Sequence, residues 1–271
     1  MAARDAPPSG LRVAAADLLV RDLDRVAAFY RDVLGFRLHR RAGDVVELGA
    51  REVLLRLRSA PDARPRARGQ AGLFHVAYLL PGRADLGRVL AALLPRGLLH
   101  GASDHRVSEA LYLADPEGNG IELYRDRPRE AWPRGAEGAI AMATDPLDVD
   151  AVLAAGDGAW TGLPDAATIG HIHLNVNDVP AAERFWREAV GLDLMARYGA
   201  DASFLAADGY HHHLGLNAWG TRGGPPANPG TLGLARFDLA LPGAARDALV
   251  VRLGGDAAED PSGNRFRVVP G

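Results

Sequence analysis

The stretch SDHRVSEALYLADPEGNGIE, from Ser103 to Glu122, contains two short apolar segments separated by a turn. The central DPEGN at 115–119 predicts the turn, because Asp, Pro, Gly and Asn each favour turn conformations. The flanking ALYLA and GIELY predict two strands, and therefore a β-hairpin in which Tyr112 and Glu122 come close together. A carboxylate in an apolar strand is costly to bury unless it is paired or bound to a metal. Glu122 is therefore expected to have either a charged partner or a metal ion beside it.

The chain also contains an internal repeat. The segment VRDL at 20–23, followed by AFY at 28–30 and GF at 35–36, recurs as VNDV at 176–179, FW at 185–186 and GL at 191–192. Each copy predicts a strand, a turn at Asp, a helix and a Gly stop. A second pair of segments repeats less closely, with LLPG at 79–82 matched by ALPG at 240–243, and DPEGN matched by DPSGN at 260–264.

These repeats predict an α+β fold of four βαβββ modules, which start near residues 12, 72, 169 and 233. We expect the modules to form two domains, 11–124 and 168–269. The Pro- and Gly-rich connector between them, 125–167, is predicted to contain a short helix around Val149 to Ala155.

Composition limits the classes of function. The net charge of −3 and the absence of a basic stripe with interleaved aromatic residues argue against a nucleic-acid partner. The chain has no Cys, which excludes disulfides, thiolate metal sites and a cysteine nucleophile. No apolar run approaches 18 residues and the N-terminus lacks an apolar signal segment. We therefore expect a cytoplasmic protein that binds no membrane.

The 103–122 stretch closely resembles the signature of the type I extradiol ring-cleavage dioxygenases, of the vicinal-oxygen-chelate (glyoxalase/bleomycin resistance/dioxygenase) superfamily. That signature contains a His, an apolar-Tyr pair, Asp-Pro-x-Gly and a metal-binding Glu. Here Ser103 stands where the signature usually has Gly, Asn, Thr, Ile or Val. GHIHL at 170–174 and YHHHLGLN at 210–217 extend the resemblance to the two-domain, catechol 2,3-dioxygenase-like type. The module with Tyr and Glu precedes the module with the acid–base His, which is a permutation of the common order.

The resemblance implies that the modules pair into two vicinal-oxygen-chelate barrels, and that ligands come from the first and last strands of a module. His75, Glu122 and His171 occupy such positions, whereas Ala15, Arg236 and Arg267 occupy the equivalent positions in the first and fourth modules. Two imidazoles and one carboxylate suit a non-heme Fe(II), with Mn(II) as the alternative. Because the ligands belong to the second and third modules, we expect those modules to face one another, within one chain or in a swapped dimer.

The resemblance also assigns His212 as the acid–base residue, with His213 as the alternative, and His105 and Tyr112 as groups that hydrogen-bond the substrate. If 210–217 is a strand, alternation places His212 on one face and His211 with His213 on the other. His173 shares a strand face with His171 and is a candidate neighbour of the site. His39 and His100 are interpreted as ordinary side chains.

The expected substrates are a small aromatic diol and dioxygen, and the resemblance is compatible with a homodimer. One alternative is another metal-dependent reaction on this scaffold: a hydroquinone dioxygenase, a pathway-specific oxygenase or a glyoxalase-like isomerase. An isomerase would be favoured by four protein ligands, with His213 as the fourth. A metal-free small-molecule-binding protein is disfavoured, because such proteins lack the ligand set.

Overall fold

The computed structural model describes residues 8–135 and 139–271. The repeat predicted from the sequence is confirmed, since strands begin at Arg12, Gly72, Thr168 and Gly233. In the first module the elements are β1 (Arg12–Val20), α1 (Leu23–Ala28), β2 (Arg37–Ala42), β3 (Val45–Gly49) and β4 (Val53–Ser59). In the second they are β5 (Gly72–Leu79), α2 (Arg83–Leu93), β6 (Gly101–Asp104), β7 (Ser108–Ala114) and β8 (Gly120–Asp126).

The connector contains the two-residue strand β9 (Asp145–Pro146) and the helix α3 (Val149–Ala155), which is the helix predicted there. The third module consists of β10 (Thr168–Asn175), α4 (Val179–Phe185), β11 (Asp193–Tyr198), β12 (Ala202–Ala206) and β13 (Leu214–Asn217). The fourth consists of β14 (Gly233–Leu241), α5 (Gly243–Leu253), β15 (Ala257–Glu259) and β16 (Arg265–Pro270).

The fourth module is shorter than the βαβββ pattern. One strand lies between its helix and its DPSGN turn, whereas two strands lie between the helix and the DPEGN turn of the second module. The cause is the length of the segment between helix and turn. Leu93 and Asp115 enclose β6 and β7, whereas between Leu253 and Asp260 there is room for β15 alone. The last strand is retained, and β16 pairs in parallel with β14 as β8 does with β5.

The Asp residues at the helix starts explain why the helices begin where the sequence predicted. Asp22 accepts a hydrogen bond from the backbone N–H of Arg25, and Asp178 accepts one from Ala181. Both are N-caps, which satisfy backbone donors that a helix leaves unpaired. Gly191 ends the helical segment of the third module at a φ of 92°, a conformation that favours glycine.

Backbone contacts divide the chain into two compact units. Unit 1 comprises the residues up to Leu19, Asp62–Phe74 and His171–Gly271, and unit 2 comprises Val20–Pro61 and His75–Gly170. In unit 1 the strand order is β15-β16-β14-β1, with a second series β10-β13-β12-β11. In unit 2 the order is β5-β8-β7-β6-β9, with a second series β4-β3-β2. The domain bounds expected from the sequence stay a prediction.

Each unit has an aromatic core. In unit 2 the rings of Tyr30 and Tyr78 both pack edge-on against Phe36, with centroid distances of 5.3 and 4.9 Å. In unit 1 Trp186 lies against Phe266 at 4.7 Å. All of these side chains are buried, and such rings contribute a large share of the apolar area that stabilises a fold.

The two DPxGN turns have a structural role. Asp115 accepts hydrogen bonds from the N–H groups of Glu117 and Asn119, and Asp260 binds Ser262 and Asn264 in the same way. The residue after Pro then binds the segment before a helix of another module. Glu117 accepts from the N–H groups of Arg21 and Asp22, and Ser262 accepts from that of Asn177.

No helix within the described ranges is both long and apolar enough to cross a membrane.

Candidate metal centre

The second module places its predicted ligands on one face of a sheet. In the antiparallel pairing of β7 and β8, Tyr112 lies directly opposite Glu122, which confirms the hairpin predicted from the sequence. In the parallel pairing of β5 and β8, Ala77 lies beside Glu122. His75 precedes Ala77 by two positions and so projects from the same face of β5.

His75 and Glu122 form a close buried pair. The Nε2 atom of His75 lies 2.9 Å from a carboxylate oxygen of Glu122, and the side chains are 7% and 3% exposed. That nitrogen nevertheless makes no hydrogen bond of acceptable geometry among the described residues. Two ligand atoms that each lie about 2.1 Å from one ion, at right angles, are about 3 Å apart. The separation of the pair is therefore the one expected of neighbouring ligands.

His171, on β10, is the third buried member of the set. The ligand atoms that His75, Glu122 and His171 offer all lie within 4.8 Å of one another. The Nδ1 atom of His171 is also buried without a hydrogen bond among the described residues. A buried polar atom with no hydrogen bond is costly, and coordination would satisfy both imidazole nitrogens. Two imidazoles and a carboxylate are the donors preferred by divalent first-row metals in a facial triad. These residues therefore fit such an ion.

His105 and Tyr112 are connected to the pair by hydrogen bonds. The Nδ1 atom of His105 lies 2.7 Å from the carbonyl oxygen of Ala143, and its Nε2 atom lies 2.5 Å from the Tyr112 hydroxyl. A carbonyl oxygen only accepts, so the proton of a neutral His105 is on Nδ1, and its Nε2 atom and the Glu122 carboxylate are the two acceptors that the Tyr112 hydroxyl contacts. Burial and the negative charge of Glu122 raise the pKa of the Tyr112 phenol well above its ordinary value. Tyr112 is therefore a neutral hydrogen-bonding group at physiological pH.

The strand expected over 210–217 is wrong for its His residues. Tyr210 to His213 lie in the connection between β12 and β13, and β13 begins at Leu214 because its parallel pairing with β10 begins there. Residues outside a strand do not alternate between two faces. His211 and His212 instead lie side by side, with their Nδ1 atoms 2.7 Å apart.

His212 lies next to His171, the third candidate ligand. Its ring centroid is 4.1 Å from that of His171, and the centroid of His211 is 6.2 Å from it. His211 is fully buried, and it is the residue that sequence reasoning missed. Its hydrogen bond orients the His212 ring, and the only sequence signal was its position beside the assigned acid–base residue.

His213 has different surroundings. Its Nδ1 atom accepts a hydrogen bond of 3.2 Å from the backbone N–H of Ala207, and its ring packs against Tyr210 at 4.9 Å. A ring nitrogen engaged in this way is not offered to a metal, so this geometry lends no support to His213 as a fourth ligand.

His173 is surrounded by aromatic rings. Phe74 and Trp219 lie 5.0 and 5.8 Å from its ring, and its Nε2 atom contacts the Asn217 amide at 3.1 Å. Gly215, which pairs with His173, leaves the space for this ring, because a Cβ there would lie 2.8 Å from it. The small residue of the YHHHLGLN motif therefore has a packing role.

The remaining two His residues have ordinary surroundings. The Nε2 atom of His39 lies 3.1 Å from the carbonyl oxygen of Ala50, and His100 is exposed at the end of a loop.

Comparisons with known proteins agree with this fold. The family model described as Glyoxalase/Bleomycin resistance protein/Dioxygenase superfamily matches residues 12–123 and 168–250. The chain is 43% identical over 262 residues to a protein of Bacillus subtilis (strain 168) named Catechol-2,3-dioxygenase, covering 93% of this chain and 91% of that one. It is 33% identical over 110 residues to Biphenyl-2,3-diol 1,2-dioxygenase 2 of Rhodococcus globerulus, covering 37% of this chain and 58% of that one.

A solved structure of a Bacillus subtilis protein, provisionally assigned as a dioxygenase, shares the fold. It has a TM-score of 0.65 and 12% sequence identity, over 97% of this chain and 85% of that one. The protein therefore belongs to the glyoxalase/bleomycin resistance/dioxygenase superfamily, whose α+β fold its repeated modules display.

Proposed function

We propose that this protein is an extradiol dioxygenase, which opens a catechol-type ring with dioxygen and uses Fe(II), with Mn(II) as the alternative metal. The observation that carries the proposal is the buried set of His75, Glu122 and His171, whose ligand atoms lie within 4.8 Å of one another. The relative named Catechol-2,3-dioxygenase, which matches across 93% of this chain, supports the choice of reaction.

The three side chains would hold the metal by two imidazole nitrogens and one carboxylate. Glu122 supplies the negative charge that two neutral imidazoles lack. When bound, a ferrous ion supplies coordination positions for a diol and for dioxygen, and the capacity for electron transfer between them. The His75 and Glu122 side chains are buried, and electrostatic interactions are stronger where water is excluded.

His212 would be the acid–base group. A catechol must lose hydroxyl protons to bind as a chelate, and imidazole is the side chain suited to accept them near neutral pH. With the proton of the His211–His212 pair on Nδ1 of His212, the Nε2 atom of His212 carries the lone pair that a base needs. The same nitrogen would later return a proton to an oxygen atom that came from dioxygen.

Tyr112 and His105 would orient the reactants. The Tyr112 hydroxyl is hydrogen-bonded to the His105 ring, and Tyr112 lies opposite Glu122 in the β7–β8 pair. A fixed hydroxyl there can hydrogen-bond an oxygen atom of the substrate. Residues that hold a reacting group at one angle contribute to rate through positioning.

The decisive experiment combines metal analysis with oxygen consumption. The protein would be purified without oxygen, its iron and manganese measured, and its oxygen uptake followed with catechol and with 3- and 4-substituted catechols. We expect about one iron per chain and one dioxygen consumed per catechol. Oxygen uptake by the His75→Ala variant serves as the background. Iron-loaded protein that consumes no oxygen with any catechol would contradict the proposal.

Two finer expectations belong to the same proposal. We propose a cytoplasmic location. We also propose assembly as a homodimer, and sedimentation of the purified protein would test the dimer. A monomer at micromolar concentration would remove the dimer without affecting the reaction.

A further inference from the structure

The turn that carries His105 has an unusual backbone. The N–H of His105 donates to the carbonyl of Ser108, which closes a tight turn between β6 and β7. Arg106, inside this turn, has a φ of 66°, and among the described residues the only other non-glycine residue with a positive φ is Asp208. Side chains with a Cβ avoid that region. Such a conformation persists only where the surroundings enforce it, and it is common beside functional groups.

A segment of the connector enforces it here. β9 pairs with β6, so that Asp145 lies beside Asp104. The Arg106 side chain donates to the Asp145 carboxylate at 2.8 Å, and the Arg106 N–H donates to Asp104 at the same distance. The backbone N–H of Ala143 donates to the carbonyl of His105.

The same segment decides which ring nitrogen of a neutral His105 carries the proton. Ala143 accepts from Nδ1 of His105, and this leaves Nε2 of a neutral His105 as an acceptor for the Tyr112 hydroxyl, beside the Glu122 carboxylate. If the segment moved away, both tautomers of His105 would be accessible and the Tyr112 hydroxyl would lose the constant acceptor that Nε2 provides. The connector is therefore in direct contact with the group that orients Tyr112.

We propose that the Arg106–Asp145 ion pair is a clamp that holds residues 143–146 against His105, and that Arg106 and Asp145 are positioning residues for the His105–Tyr112 pair. The catalytic consequence rests on the proposed dioxygenase function, but the clamp itself does not. The ion pair is about half exposed on both sides. Exposed ion pairs contribute little to stability, so this pair can be removed from a folded protein.

The clamp is tested first without metal or substrate. Nitrogen-15 NMR of the histidine rings in metal-free protein distinguishes a protonated from an unprotonated ring nitrogen. For wild type we expect His105 to be protonated at Nδ1 alone. In Asp145→Asn and Arg106→Gly the His105 signals should become an average of two tautomers. Arg106→Gly also removes the strained φ, so it should keep or raise the melting temperature while it loses the single tautomer.

Turnover is the second readout. In iron-loaded protein, Asp145→Asn should lower kcat for catechol about tenfold, the usual scale for a residue that orients a ligand or catalytic group, with KM changed by less than about twofold. The charge-reversed double variant Arg106→Asp/Asp145→Arg should restore much of the loss. Asp201→Asn is the matched control, because Asp201 forms a comparably exposed ion pair with Arg222.

The outcomes separate the clamp from the reaction. A single His105 tautomer in both Asp145→Asn and Arg106→Gly would overturn the clamp, whatever the activity. Averaged tautomers with wild-type kcat would overturn its catalytic role. Averaged tautomers in a protein that oxidises no catechol would support the clamp and contradict only the proposed function.

Discussion

The strand pair β5–β8 of the second module and the strand pair β14–β16 of the fourth have the same parallel register and opposite chemistry. Glu122 lies beside Ala77 in the first pair, and Arg267 lies beside Asp238 in the second. Across the hairpin, Glu122 faces Tyr112. Arg267 faces Ala257. The same strand arrangement thus carries a candidate metal ligand in one module and a member of an ion pair in the other.

The two modules differ in the groups that compensate the negative charge of their buried carboxylates. In the fourth module Asp238 is 2% exposed and binds Arg267, and Arg236 binds Asp17 of the first module, which is 1% exposed. In the second module the Nε2 atom of His75 lies 2.9 Å from the Glu122 carboxylate, and the Tyr112 hydroxyl also hydrogen-bonds Glu122. A buried carboxylate requires a partner. The fourth module supplies guanidinium groups, whereas in the second module the proposed metal ion would supply the positive charge.

The largest effect is expected from Glu122→Ala. This variant should lose iron, because two neutral imidazoles balance a divalent cation poorly, and oxygen uptake with catechol should fall to background. Metal analysis of anaerobically purified protein measures it. Arg267→Met, at the equivalent position of the fourth module, is the control and should keep wild-type iron. Wild-type iron occupancy in Glu122→Ala would contradict the proposal that Glu122 binds the metal and Arg267 does not.

The next effect is that of His212→Gln, which tests whether the ligand-bearing region also contains a base. Iron content and catechol binding should be retained, while kcat falls by about two to four orders of magnitude, the scale for an acid–base group. Steady-state oxygen uptake and iron analysis measure the two parts. His213→Gln should leave kcat close to wild type. The reverse pattern would transfer the acid–base role to His213.

A smaller effect is expected from Tyr112→Phe. The equivalent position in the fourth module is Ala257, which has no hydroxyl. The variant should keep iron and lose about 10- to 100-fold in kcat, because the substrate loses an orienting hydrogen bond. Kinetics with catechol measure it, and Tyr198→Phe, at an exposed position, is the control. Unchanged kcat would reduce Tyr112 to a packing residue.

The smallest effect, and one on stability alone, is expected from Arg267→Met. Asp238 would be left buried without its counter-ion, which should lower the free energy of unfolding by about 1–3 kcal/mol. Urea unfolding of the metal-free protein measures it. Asp238→Asn combined with Arg267→Met should recover part of the loss, because no buried charge remains. Equal stability of wild type and single variant would show that water compensates Asp238.

The shortened fourth module shows which features of the fold the spacing of sequence motifs predicts and which it does not. The repeated motifs located all four modules, because Asp caps, Gly stops and DPxGN turns act locally on the backbone. The distance from Leu253 to Asp260 already left too few residues for two strands, so this difference was present in the sequence. The position of the His residues after β12 was not, because pairing with β10 decides where β13 begins.

The sequence by itself determined the modules, the hairpin that joins Tyr112 to Glu122, and the positions of the ligand-capable residues, since period-two alternation and turn chemistry depend on near neighbours. Only the tertiary structure brought His211 within hydrogen-bonding distance of His212, and the carbonyl of Ala143 within hydrogen-bonding distance of His105, 38 residues away. Hydrogen bonds between distant segments depend on how those segments pack. No local pattern in the chain records that packing.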